Sequence, residues 1–267
     1  MKKLIVLAGV GVIASLLVSV GSAQSTASLQ IAMGNPSGAI ASASYPANYL
    51  MQKNQFAQGY YRDKGIPIWV SWHLGYLDLG SASRCDCFTS DTTLPTGWYR
   101  VTSSSYTSSG YDRGHMCPSA DRTASSADNA VTFKMTNILP QTPDNNQGPW
   151  AAMEDYLRSL VASGNELYII SGGDNTKATI DGGRVEVPAY TWKVVMVPTE
   201  GSSDLSRVTT STRLIAVDIP NNAGIRTVDW KTYRTSVDQI EAWTGYNFFS
   251  NVSSSIQSVI EAKVDTQ

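Results

Sequence analysis

Apolar, β-branched-rich runs at residues 68–74, 166–171, 190–197 and 214–219 stand out along the chain, separated by turn-forming stretches such as Gly172-Gly173-Asp174-Asn175. Short runs punctuated in that way predict β-strands. The period changes over residues 149–161 and 237–243, where apolar positions recur every three or four residues and predict helices. Ser236 and Gln239 have the spacing of a reciprocal cap at the start of the second helix. Strands and helices mix without the strict alternation that builds parallel βαβ units, so the pattern predicts an α+β fold with a mainly antiparallel central sheet. No internal repeat, long charge run or linker divides residues 24–267, which read as a single domain with room for a sizeable core.

Residues 131–154 carry both periods in succession. Val131, Phe133 and Met135 alternate with Thr132, Lys134 and Thr136, which predicts a half-buried strand continuing in phase to Asn137. An amide on the inward side of a strand must find partners. Pro140 and Pro143 end the strand, residues 144–148 have the composition of a turn, and Pro149 suits the first helical position. On the helix that follows, Trp150, Met153, Leu157, Leu160 and Val161 share one apolar stripe, with Glu154 at its edge beside Trp150. A carboxylate in that position needs a partner or a metal. The ordinary partner is Arg158, four residues on.

The N-terminus changes the picture of where this domain works. Lys2 and Lys3 precede an apolar run from Leu4 to about Val20, then the small residues Gly21, Ser22 and Ala23 before Gln24. This is the pattern of a secretory signal peptide spanning residues 1–23 and cut after Ala23. The alternative is an uncleaved anchor, because the apolar run approaches the length of a spanning helix; the small residues at the expected cut favour removal. With no cysteine near the cut, a lipid anchor is not supported, and no later segment is apolar enough to span a membrane. The expected location is secreted or periplasmic. Three cysteines, Cys85, Cys87 and Cys117, are an odd number for an oxidising compartment. One disulfide joining Cys117 to Cys85 or Cys87 is expected, against the alternative of three buried thiols.

Charge constrains the partner. Removing Lys2 and Lys3 takes the formal net charge from −2 to −4, so the remaining chain is mildly acidic. Nucleic-acid binders draw most of their affinity from cations facing phosphates. If nucleic acid is the substrate, positive charge must gather locally, from arginines such as Arg84, Arg100, Arg113 and Arg122 and from a bound cation.

The candidate chemistry lies in Asp112-Arg113-Gly114-His115, Asn137-Ile138-Leu139-Pro140-Gln141, Asn146-Gln147-Gly148-Pro149-Trp150 and Glu154. A neutral imidazole with a pKa near ~6.5 can accept a proton from water at neutral pH, which suits His115 to the role of base. Gly114 is read as permitting a tight turn beside it, and Arg113 as a cation near a phosphate. Mg²⁺ prefers oxygen ligands, keeps several waters and needs only one or two protein groups, so Asn146 or Glu154 suffices as an anchor. Each residue has an ordinary role as well. His73, with no ligand or nucleophile near it in sequence, is read as structural; Asn146 could cap the helix, and Arg84 could be a surface cation. Taken together, His115, Asn146, Glu154 and Arg84 favour metal-assisted phosphodiester cleavage.

These motifs resemble the DNA/RNA non-specific endonuclease family of the ββα-metal class, and the likeness runs from Met33-Gly34-Asn35-Pro36 through Trp69-Val70-Ser71-Trp72 to the region of Ile240 and Phe248. The resemblance implies a ββα finger on an antiparallel sheet flanked by helices, in which the strands bearing His115 and Asn137 and the helix bearing Glu154 form the finger. It implies His115 as general base, Asn146 as direct Mg²⁺ ligand, Glu154 as a partner of the metal through water, Arg84 as the stabiliser of the pentavalent phosphate, and Arg113 and Asn137 as supporting residues. Phe133 stands where some relatives have asparagine and receives no role. The implied cofactor is Mg²⁺, with Mn²⁺ as an alternative. The implied substrates are DNA and RNA, cleaved to 5′-phosphate and 3′-hydroxyl ends. An inhibitor protein stays open as a partner, as does a catalytically inactive binding protein on the same fold.

Overall fold

A computed structural model describes residues 28–267, so the expected signal peptide of residues 1–23 lies outside the described residues. Nine strands form in chain order: β1 (Tyr49–Gln52), β2 (Ala57–Tyr61), β3 (Ile66–Leu74), β4 (Asp112–His115), β5 (Ile138–Gln141), β6 (Leu167–Ile180), β7 (Val185–Val197), β8 (Arg213–Pro220) and β9 (Arg234–Thr235). Seven of them make one sheet in the order β1-β2-β3-β6-β7-β8-β9, antiparallel at every step, while β4 and β5 pair separately as a two-stranded ribbon. The six α-helices are α1 (Ser126–Thr132), α2 (Pro143–Asn145), α3 (Ala151–Ala162), α4 (Asp204–Arg207), α5 (Val237–Thr244) and α6 (Ser254–Ile260). The α+β expectation holds, and the four apolar runs fall in β3, β6, β7 and β8, with Glu166 one residue before β6.

Those runs are largely apolar because both faces of the sheet are covered. Side chains alternate across a strand, and the register aligns Trp72, Ile169, Val195 and Ile215 on one face, with Ile170, Val194 and Ala216 on the other. The first row packs with Met116, Ile138, Leu139, Trp150, Met153, Leu157 and Val161, that is, with the ribbon and α3. The second row packs with Val237, Ile240, Phe248, Phe249 and Ile260 around α5 and α6. The apolar stripe expected on α3 is thus the surface that docks it; Leu160 is only partly buried at its margin.

The ribbon is clamped to the sheet by a buried side chain. Asn221, just past β8, donates to the carbonyls of Pro140 and Pro188 at 3.0 and 2.9 Å and accepts from the Thr142 amide at 2.7 Å, so its amide group bridges β5 and β7. Pro140 lies within β5 opposite Arg113, rather than ending the strand. A residue without an N–H is tolerated there because a two-stranded ribbon leaves each strand an unpaired edge.

The strand expected over residues 131–137 is replaced by the end of α1 and a 3₁₀ turn at Met135–Asn137. The Ser125 hydroxyl accepts from the Asp128 amide and starts a helix upstream of the alternating run. Thr132 and Thr136 are as buried as Phe133 and Met135, so the alternation does not correspond to two faces. Ser236 caps α5, accepting from the Gln239 amide at 3.2 Å, which is one half of the reciprocal cap expected.

Candidate active site

β4 and β5, antiparallel, and α3 pack together as two strands and a helix, and most of the residues singled out by sequence converge on the cleft beside them. Arg84, Arg113, His115, Asn146 and Glu154 line one pocket of about 370 Å³. Asn137 does not reach it. Its Oδ1 accepts from the Cys117 amide at 3.0 Å and its Nδ2 donates to the carbonyls of Cys117 and Thr132, each at 2.8 Å. It therefore pins the segment after β4 to the entry of β5, sitting at the end of the 3₁₀ turn rather than in a strand.

The ribbon sets the height of His115. Gly114 lies in the β4 ladder opposite Leu139, and a Cβ on it would come within 1.9 Å of the Gln141 side chain. Close approach inside a strand, not a tight turn, is what this glycine supplies. The imidazole that follows is buried with no hydrogen-bond partner for Nε2 and, among the described residues, none for Nδ1. Aromatic packing holds it instead: Phe133 lies edge-on at 4.7 Å between ring centroids and Phe88 at 5.3 Å. Burial first, then the nearby charge of Arg84 and Arg113, lowers the His115 pKa to about 3, so the ring is neutral at physiological pH.

The two arginines rest on the same phenylalanines. The Arg113 guanidinium stands 4.4 Å from the Phe88 ring centre and that of Arg84 4.9 Å from Phe133. Arg84 also bonds Asp86 at 2.7 Å and the Ser119 hydroxyl at 3.0 Å. The other two arginines expected to supply local charge do not line this pocket. Arg122 is buried and donates to the carbonyls of Gln55 and His73, a structural duty, while Arg100 contacts the carbonyls of Thr92 and Leu94. His73 keeps its structural reading, bonded to Glu166 at 3.0 Å.

Asn146 opens a π-helical turn (Asn146–Trp150) that leads into α3. Its Nδ2 donates to Asp112 at 2.9 Å, and Gln147 donates to the same Asp112 oxygen at 2.7 Å. The Asp112 carboxylate can only accept, so it fixes which end of the amide it holds and leaves Asn146 Oδ1 with no donor among the described residues. Glu154, two turns on, does not pair with Arg158. That arginine bonds Asp121 at 2.9 Å and Asp155 instead. The partner of Glu154 comes from β7: Lys193 Nζ lies 3.5 Å from Glu154 Oε1, close enough for an ion pair but without the alignment of a hydrogen bond. Lys193 is fully buried, 4.0 Å from the Trp150 ring centre. Burial raises the Glu154 pKa to about 7 against the opposing pull of Lys193. Burial lowers the pKa of Lys193.

Asp112 as an orienting group, Lys193 as a counter-charge and the Phe88 and Phe133 packing were not read from sequence. Only Lys193 carried a usable signal, a lysine inside the apolar run of residues 190–197, which requires a buried carboxylate somewhere in the fold. The cysteine expectation is corrected. Cys85 and Cys87 are bonded to each other, whereas Cys117 is a free, buried thiol. Cys117 lies in the core beside β4, while Cys85 and Cys87 lie in an exposed loop.

Comparison with known proteins gives the family. The family described as DNA/RNA non-specific endonuclease matches residues 34–255. A Nostoc protein called Nuclease is 52% identical over 238 residues, covering 89% of this chain and 86% of that protein. The human mitochondrial nuclease EXOG is 30% identical over 226 residues, covering 79% of this chain but 59% of its own length. A crystal structure of the EndoG/EndoGI complex, concerned with EndoG inhibition, matches with a TM-score of 0.72 at 20% identity over 88% of this chain and 96% of that one, which shows the shared fold. The chain belongs to the DNA/RNA non-specific endonuclease family. It is a nuclease, a hydrolase of nucleic acids from a family of metal-dependent enzymes. Among the described residues, no helix is long and apolar enough to cross a membrane.

Proposed function

We propose that this chain is an exported, Mg²⁺-dependent endonuclease that cleaves DNA and RNA phosphodiesters with little regard for sequence, leaving 5′-phosphate and 3′-hydroxyl ends. The observation that carries the reading is an amide oxygen without a donor, Asn146 Oδ1, beside the Glu154 carboxylate, on one pocket with a neutral histidine and two arginines. That donor set fits a hard divalent cation: a neutral amide oxygen held in place by Asp112, and a carboxylate whose buried Oε1 faces Lys193 without a hydrogen bond. Asn146 would be the direct ligand and Glu154 would act through a bound water. When bound, Mg²⁺ would supply charge neutralisation to the phosphate and its leaving group.

The remaining work falls to the chain's own groups. Arg84 and Arg113 receive the phosphate, and Arg84 offsets the charge that builds on it in the transition state. Water attacks phosphorus opposite the 3′ oxygen while His115 takes its proton; the bond from phosphorus to the 3′ oxygen breaks, and the released 3′ oxygen takes a proton from solvent. The anionic phosphate beside the two arginines counters the fields that depress the histidine pKa, so the base becomes stronger when substrate arrives. Asn137 positions rather than touches substrate. Residues 24–267 would form the working domain after removal of residues 1–23, in a secreted or periplasmic setting, with Mn²⁺ as a substitute metal. The likeness to the EndoG/EndoGI complex supports an inhibitor protein as a further partner.

Digestion of single- and double-stranded DNA and RNA of scrambled sequence, with Mg²⁺, Mn²⁺ or EDTA, tests this reading. Cleavage of every substrate with metal and of none in EDTA is expected. Binding without cleavage would instead favour an inactive binding protein on the same fold.

A further inference from the structure

We propose that Asp238, Glu241 and Glu261 form a second cation site, on the opposite face of the sheet from the nuclease pocket, and that it takes Ca²⁺. The site joins the start of α5 to the residue that follows α6. One oxygen from each carboxylate lies within 4.8 Å of the other two. Glu261 separates this cluster from ordinary surface acid. It is 4% exposed, and its Oε1 is buried with no hydrogen-bond partner. Asp265, four residues on and 8% exposed, by contrast has Arg213 at 2.8 Å. No lysine, arginine or histidine among the described residues pairs with Asp238, Glu241 or Glu261 in that way.

The oxygens are held where a cation would need them. The Asp238 amide donates to the Glu261 carbonyl at 3.1 Å, locking the two backbones together. Glu241 Oε1 accepts from the Phe248 amide at 2.9 Å, which fixes the direction of its carboxylate. Three carboxylates this close repel one another, and a buried one without a donor is costly unless a positive charge is shared among them. Ca²⁺ takes roughly six to eight oxygens in a flexible shell, whereas Mg²⁺ demands a near-ideal octahedron and gives up its waters reluctantly, so three acidic side chains from two separate segments suit Ca²⁺ better. Asp238 is exposed, so waters can complete the larger and more flexible shell of Ca²⁺.

Thermal unfolding of the chain in EDTA, in Ca²⁺ and in Mg²⁺ tests the site without reference to nuclease activity. At Ca²⁺ about 100 times its dissociation constant, the melting temperature should rise by roughly 5–10 °C, with a smaller effect of Mg²⁺. Glu261→Gln and Glu241→Gln should abolish the rise while leaving Mg²⁺-driven DNA cleavage intact. In EDTA, Glu261→Gln should melt no lower than the unsubstituted protein, because an amide replaces an uncompensated carboxylate. If Glu261→Gln fails to fold, Glu241→Gln and the exposed Asp238→Asn carry the same comparison. Because Ca²⁺ could also enter the nuclease pocket, the titration is repeated in Asn146→Ala, where the rise should persist. Absence of a Ca²⁺-dependent rise in the unsubstituted protein, an equal rise in Glu261→Gln and Glu241→Gln, or its loss in Asn146→Ala would each overturn the proposal.

Discussion

At the scale of single residues, His115 and Asn146 differ in kind, and their substitution should separate proton transfer from metal holding. His115→Ala is expected to lower turnover by roughly 10²–10⁴ with an unchanged metal midpoint. Asn146→Ala should move the midpoint to higher metal, with partial recovery of activity at saturation. Titrating Mg²⁺ against activity for both variants, with folding followed by circular dichroism, distinguishes the roles; a shifted midpoint in His115→Ala alone would reverse the assignment. Glu154 adds a pH signature. Its pKa is raised to about 7, and a ligand acting through water must be ionised, so metal binding competes with a proton. Apparent affinity should climb about tenfold per pH unit below that value and level off above it. Lys193→Met removes the only cation paired with this carboxylate among the described residues and should displace the inflection to higher pH. An identical inflection in the variant would dissociate Lys193 from Glu154.

Two contacts decide whether the elements keep their places. Gly114→Ala would drive a methyl group into Gln141, whose side chain is fully buried and cannot swing into solvent. A loss of about 1–3 kcal/mol in denaturant unfolding is expected. Adding Gln141→Ala to Gly114→Ala should recover part of it. Asp91 plays the corresponding part for the turn before β5, accepting from Thr136 at 2.7 Å and from Thr93 while pairing with Lys53 at 2.8 Å. Although burial works against ionisation, the bonds from Lys53, Thr93 and Thr136 lower its pKa from 3.8 to about 2. A carboxylate with a depressed native pKa stabilises the fold fully above its unfolded value. That stability disappears as pH falls from about 4 to 2, where the unfolded chain takes up the proton first. Asp91→Asn should cost about 2 kcal/mol at neutral pH and flatten the acid-unfolding profile in that window. An unchanged profile would remove Asp91 from the account.

For the molecule as a whole, net charge and function pull in opposite directions. A formal charge of −2, or −4 without Lys2 and Lys3, repels nucleic acid at long range. Binding must therefore rest on the few cations at the pocket and on the metal. Cleavage should fall steeply with added salt and show no consensus among sequenced ends. Arg113→Ala should weaken binding evenly across sequences and reduce the salt slope by about 1. A sharp consensus, or a slope unchanged in Arg113→Ala, would contradict a pocket-centred electrostatic mode.

Sequence alone determined the α+β class, the four apolar runs that became strands and the helix that ends near Val161, each from local periodicity; it singled out His115, Arg113, Asn146 and Glu154 from short spacing within a motif and Arg84 through the family resemblance, and the fold brings these five to one pocket. It failed where the fold, rather than the local pattern, decides the partner. The alternation at residues 131–137 resembled a strand, but a cap at Ser125 and burial of threonines and apolar residues alike turned it into a helix end and a 3₁₀ turn. The i, i+4 spacing of Glu154 and Arg158 suggested a pair, yet packing α3 on the sheet set Lys193 beside Glu154 and gave Arg158 to Asp121. The disulfide followed the same rule: folding carried Cys117 into the core and left Cys85 and Cys87 to bond each other. Local pattern fixes what a segment can form, whereas the choice of partner for a buried charge, amide or thiol depends on which strand the sheet brings opposite it, and that is settled only when both faces of the sheet are covered.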